Sequence, residues 1–114
     1  MLPKKNRLKK REDFLRTNQE GSFFSLEGMA IKILEKKQAE ARIGLLVGKK
    51  TVKTAAERNR IKRKIRNAIY DQIKNIKPGY DIVINYRRFK KKSPRENIQE
   101  EVYNLLKKSK LITK

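Results

Sequence analysis

Neither histidine nor cysteine occurs in this 114-residue sequence. Their absence removes Ser-His-Asp triads, thiol nucleophiles and histidine- or cysteine-based zinc sites together. It also leaves no disulfide framework, which fits a cytoplasmic protein. Acids are scarce, 12 against 32 Lys and Arg, and they are scattered. Only Glu12-Asp13 and Glu100-Glu101 are adjacent, and neighbours on a helix face different ways. A two-metal nuclease needs several carboxylates converging on ions about 4 Å apart, and nothing in this spacing gathers them. Gly44-x-x-x-Gly48-Lys49-Lys50 has the wrong spacing for a phosphate-binding P-loop and ends in Lys rather than Ser or Thr. No catalytic or metal-ligating residue is therefore assigned to the chain itself. Long apolar runs are missing too, since none approaches the roughly 18–20 residues that span a bilayer. The basic N-terminus, Met1 to Arg11, lacks the apolar stretch of a signal peptide. One domain with a modest core is what this length supports.

What the chain has in excess is positive charge, a net +20. Such a field attracts nucleic acid or an anionic membrane surface, and with no apolar anchor nucleic acid is the leading partner class. The charge is densest at Arg58-Asn59-Arg60-Ile61-Lys62-Arg63-Lys64-Ile65-Arg66, where six of nine residues are cationic. Ile61, Ile65, Ala68, Ile69 and Ile73 follow i, i+4, i+7, i+8, i+12, one stripe of an α-helix. Arg60, Arg63 and Asn67 point away from that stripe, with Asn59 and Arg66 on its flank. Thr54 and Glu57 supply a capping box at the helix start. Ordinary solvated faces mix signs so that Glu and Lys pair at i, i+4, but no acid falls between Arg58 and Asn67. Like charges packed this closely repel unless an anion is expected, and Arg forks suit phosphate oxygens.

In chain order, Met1 to Lys10 predicts an extended, flexible basic arm. A short helix over Arg11 to Gln19 follows, with Phe14 as its main apolar residue and Gly21 stopping it in a left-handed cap. Composition alone makes Phe14 a core anchor. Strands are predicted at Ser22 to Leu26, Met29 to Leu34 and Ala41 to Gly48, the last two alternating with period 2. Gly44 and Gly48 share one strand face, where something bulky can approach closely. Lys77-Pro78-Gly79 is a turn, Asp81 to Tyr86 a fourth strand, and Arg87 to Lys92 a cationic surface loop. Ser93-Pro94-Arg95-Glu96 predicts the start of a final helix whose apolar stripe is Ile98, Val102, Leu105 and Leu106. The order α-β-β-β-α-β-α describes a single α+β domain over 1–114 with a four-stranded sheet.

Two segments together resemble the protein subunit of bacterial ribonuclease P. They are Arg42-x-Gly44-x-x-Val47-x-Lys49-Lys50 and the helix Arg58-Asn59-Arg60-Ile61-Lys62-Arg63-x-Ile65-Arg66, similar to that family's RNR signature. A weaker echo is Arg7-Leu8-Lys9 followed by Asp13-Phe14. The resemblance implies an endoribonuclease particle in which a large catalytic RNA, holding Mg2+, cuts precursor tRNA at the mature 5′ end. The protein would bind that RNA and the 5′ leader in the cytoplasm, with no membrane and no obligatory protein partner. Carried over by position, Lys49, Lys50, Arg58, Asn59, Arg60, Lys62, Arg63 and Arg66 would contact the catalytic RNA. Phe14 and Lys32 would line a leader cleft between the first helix and the sheet. It also implies a left-handed crossover from the third strand to the fourth, against the right-handed rule. Departures from the family pattern are seven residues, Thr51 to Glu57, between the Lys pair and the signature, Asn18 where a second aromatic is common, and Lys at position 32. They imply a leader cleft that relies more on charge and less on stacking. A ribosomal protein or general RNA chaperone would share this charge and build. A duplex-DNA reader fits less well, because no helix-turn-helix or zinc framework accompanies the basic helix.

Overall fold

A computed structural model describes residues 2–26, 28–48, 52–86 and 97–112. The elements are α1 (Arg11–Glu20), β1 (Ser22–Leu26), β2 (Met29–Glu35), β3 (Arg42–Val47), α2 (Ala55–Gln72), β4 (Tyr80–Tyr86) and α3 (Ile98–Lys108). Single 3-10 turns occupy Lys4–Asn6 and Ile73–Asn75. The predicted order holds throughout.

The four strands form one sheet in the order β1-β2-β4-β3. β1 and β2 close a hairpin at the pair Leu26↔Met29, and β2 continues antiparallel to β4. β4 lies parallel to β3, so the connection between them crosses over through α2. Its central place accounts for the run Ile82-Val83-Ile84, buried on both faces.

Strand periodicity then sorts the side chains into two faces. Ile31 and Ile33 of β2 pair with Ile84 and Ile82 of β4, and Ile43 and Leu45 of β3 pair with the same two strand positions, Ile82 and Ile84. That face meets Ile65, Ala68 and Ile69 of α2 and Val102, Leu105 and Leu106 of α3 in one core. The opposite face carries Lys32, Val83, Asn85, Gly44, Leu46 and, on β1, Phe23. α1 lies across this second face and leaves part of it open.

Several local expectations are corrected. Residues 2–10 are not an extended arm: Leu2 and Leu8 are buried, Arg7 bridges to Ile43, and the Asn6 side chain donates to the Ala41 carbonyl at 2.8 Å. Two leucines spaced through a basic stretch are enough to dock it beside β3. Gly21 ends α1 with φ −76° and ψ 159°, an extended rather than left-handed backbone. Glycine is required there by close approach, because a Cβ would lie 2.8 Å from the Ile33 carbonyl oxygen. The left-handed glycine is Gly79, φ +83°, in the predicted turn before β4. The helix start expected at Ser93-Pro94 and the cationic run Arg87 to Lys92 lie outside the described residues. α3 itself begins at Ile98, capped by the Asn97 side chain, which accepts from the Glu100 amide at 3.0 Å.

Candidate nucleic-acid interface

α2 starts where its cap predicts: the Thr54 hydroxyl accepts the Glu57 amide at 3.2 Å. Ile65, Ala68 and Ile69 are buried and Ile61 is half-buried, which fixes the rotation of the helix about its axis. Asn59, Arg60, Arg63 and Arg66 are consequently exposed, while Lys62 is half-buried at the edge of the stripe. Arg60 meets Glu57 at 3.7 Å, an exposed pair of little energetic weight. Arg58 is different. Its guanidinium donates to the carbonyls of Val52 and Lys53 at 2.8 and 3.0 Å, tying down the loop that enters the helix. Lys49 and Lys50 lie outside the described residues.

The second surface is built where α1 crosses the sheet. Asn18, Phe23, Lys32, Leu46, Val83 and Asn85 line an open groove. Lys32 donates its ammonium to the Asn18 carbonyl at the end of α1 and lies 5.9 Å from the centre of the Phe23 ring, its cross-strand partner. Phe23 is 51% exposed and Leu46 43% exposed, so the groove is apolar on its floor and cationic at its rim. Phe14 does not line this groove. It stands one turn earlier on α1, half-buried, with its ring seated over Gly44 in the space a Cβ would fill. Phe14 thus anchors α1, and the aromatic in the groove is Phe23. The Phe23-Phe24 pair in a strand held the missing signal, because adjacent strand residues face opposite ways and only one phenylalanine fits the core.

A charge network fixes α1 at this height. Asp81 is wholly buried, and Arg42 grips it with Nε and Nη2, both at 2.9 Å. Gln38 donates to Asp81 at 3.0 Å and Lys36 approaches it at 3.2 Å. Lys36 and Arg42 also reach Asp13 of α1, each at 3.4 Å. Burial by itself pushes the Asp81 carboxyl up, but hydrogen bonds from Arg42, Gln38 and Lys36 outweigh it and hold the group below its ordinary value. The hydrogen bond to Asp81 raises Arg42 in turn. Two sequence motifs therefore meet here in space: Asp13 binds Arg42, and Phe14 sits on Gly44. Among the described residues no group of three or more acidic side chains is placed to hold a metal ion. Asp13 and Asp81 share cations instead. No described helix is long and apolar enough to cross a membrane.

A four-stranded α+β domain with a guanidinium row on one helix and an amphipathic groove across the sheet defines a class, the small RNA-binding proteins. The chain belongs to the ribonuclease P protein family, whose model, described as Ribonuclease P, matches residues 2–110. It is 33% identical over 113 residues to the ribonuclease P protein component of a Pseudanabaena species, covering 98% of this chain and 97% of that one. The corresponding protein of Clostridioides difficile is 38% identical over 103 residues, 90% of each chain. Among solved structures, the RNase P protein of Staphylococcus aureus superposes with a TM-score of 0.85 at 28% identity, covering 95% of this chain and 98% of that one. The RNase P protein of Thermotoga maritima gives 0.76 at 29% identity, covering 90% and 96%. The chain is thus a protein subunit of ribonuclease P, a tRNA-processing endoribonuclease particle, and its partner is the ribonuclease P RNA.

Proposed function

We propose that the chain binds two RNAs on its two surfaces. α2 docks on the catalytic RNA through Arg58, Asn59, Arg60, Lys62, Arg63 and Arg66, with Lys49 and Lys50 extending the interface. The groove beside α1 takes the 5′ leader of precursor tRNA in the cytoplasm. The observation that carries this reading is the groove itself: an exposed phenylalanine beside a lysine suits a flexible single strand, whose bases stack while its phosphates are neutralised. Duplex RNA would not use such a floor, since its bases are already stacked.

Phosphodiester hydrolysis is assigned to the partner RNA with Mg2+ bound there. Among the described residues no three acids gather to hold a metal, and Asp13 and Asp81 are paired with Arg42 and Lys36. What this chain contributes is binding: it neutralises phosphates and holds the leader in one register, which counts toward the barrier as pre-arranged geometry. Reconstitution tests the reading. With a bacterial ribonuclease P RNA at low magnesium, the protein is expected to restore cleavage of precursor tRNA and to favour substrate with a leader over mature tRNA. Protein free of RNA is expected to cleave nothing with any divalent metal. Equal affinity for the two tRNAs would overturn the leader assignment.

A further inference from the structure

The outer face of α2 is not purely ionic. Tyr70 lies on it, 47% exposed. At roughly 100° per residue, seven residues bring Tyr70 within about 20° of Arg63 around the helix and about 10 Å further along it. Arg66 and Asn67, one turn before Tyr70, are both exposed beside it. The core-facing positions are taken by Ile65, Ala68 and Ile69, so packing does not explain an aromatic here. The nearest acid in sequence, Asp71, is bridged by the Gln99 amide of α3 at 3.1 Å. A single exposed aromatic is ordinary on a protein surface. An aromatic that continues a row of guanidiniums, with no acid in the three turns before it, is placed where RNA is expected.

We propose that Tyr70 is a stacking platform for an unpaired nucleobase of the RNA that α2 binds, so that this interface reads one base in addition to phosphates. The proposal rests on the role proposed for α2. Its chemistry is specific. A-form duplex keeps its bases stacked and its major groove too deep and narrow for side chains, so a base reaches a flat ring only from a loop, bulge or strand end. Tyr suits the place because its ring accepts the base while its hydroxyl stays wet. The arginine row therefore meets the backbone about two helical turns from a position where the RNA must be unpaired.

The test is binding of the full chain to ribonuclease P RNA across a salt series, comparing Tyr70→Ala, Tyr70→Leu, Tyr70→Phe and Arg63→Ala. Stacking carries no counterion release, whereas phosphate neutralisation does. Tyr70→Ala is expected to bind about 5- to 30-fold more weakly at every salt concentration, with the log-log slope unchanged. Tyr70→Leu, which keeps apolar bulk without the ring, is expected to lose nearly as much, and Tyr70→Phe to stay within about 2-fold. Arg63→Ala is expected to make the slope shallower by roughly 0.7–0.9. Wild-type affinity in Tyr70→Ala beside a weakened Arg63→Ala overturns the stacking proposal and leaves the α2 interface standing. A Tyr70→Phe as weak as Tyr70→Ala overturns it too, since the hydroxyl would then be the group that binds. Wild-type behaviour in all four variants removes the α2 interface itself.

Discussion

Asp81 carries charge with no exposed surface, and the side chains around it explain both facts. Its carboxylate is saturated by Arg42, Gln38 and Lys36, and two of these, Arg42 and Lys36, also hold Asp13 of α1. A depressed carboxyl contributes stability above its unfolded value, here ordinarily 3.8, and loses it as pH falls through the folded value. Asp81→Asn is therefore expected to cost about 3 kcal/mol near neutrality, the low end for breaking a buried pair, because Arg42 keeps some access to water. Urea melts at falling pH would show the gap between wild type and variant closing below about pH 4. A gap that stays constant into strong acid would mean the charge of Asp81 is not what matters. Phe14 and Phe23 make a second residue-scale contrast. Phe23→Ala should weaken binding of leader-bearing tRNA by about 1–3 kcal/mol if one base stacks on it, with mature tRNA and melting temperature unaffected. Phe14→Ala empties the seat over Gly44, so it should lower melting temperature as well as leader binding. Identical behaviour of the two variants would contradict the separate places given to them.

At the scale of elements, α2 serves the core with one stripe and leaves the other, cationic one to solvent, where the proposed RNA contact falls. Because Arg60, Arg63 and Arg66 are all exposed, replacing the three by Ala removes no core contact and is not expected to destabilise the fold. Affinity for the ribonuclease P RNA should fall, and the salt slope should become shallower by roughly 0.7–0.9 for each phosphate no longer neutralised. Unchanged slope and affinity would return α2 to an ordinary solvated face. Arg58 is left out of that variant because removing it also frees the carbonyls of Val52 and Lys53 and would mix a folding effect with a binding one. α1 shows the complementary logic. It has few buried residues of its own, and the ion network and the Phe14–Gly44 fit hold it on the sheet.

For the whole molecule, a net charge of +20 opposes compaction. A domain of this size has about 5–15 kcal/mol of net stability, a small margin for the repulsion concentrated along α2 to act against. Anions that bind the folded surface better than the open chain stabilise it by mass action. The free protein is therefore expected to be loosely folded at low ionic strength and to become compact with sulfate, phosphate or short oligonucleotides. Circular dichroism titrations check this, with a neutral excluded osmolyte as control, since sulfate also strengthens burial by exclusion. A domain that melts cooperatively in low salt and ignores added anions would show that charge does not limit its folding.

Features that depend on neighbours along the chain could be read from residue order. The isoleucine stripe of α2, the Thr54 cap, the alternation in β2 and β3 and the stripe of α3 were all legible, because helix and strand periods are local geometry. Exclusion of histidine and cysteine chemistry was equally complete. Packing in three dimensions settled everything that depends on which strand lies beside which. Only when β4 inserts between β2 and β3 does Asp81 meet Arg42, and only then does Gly44 open beneath Phe14. The docking of residues 2–10, the closing of α1 at Gly21 and the exposure of Phe23 belong to the same class. Each is set by partners that chain order does not place nearby, such as Ile43 against Arg7 and Ile33 against Gly21. Periodicity fixes which way a side chain points, but what it points at is set by the neighbours that the sheet brings across.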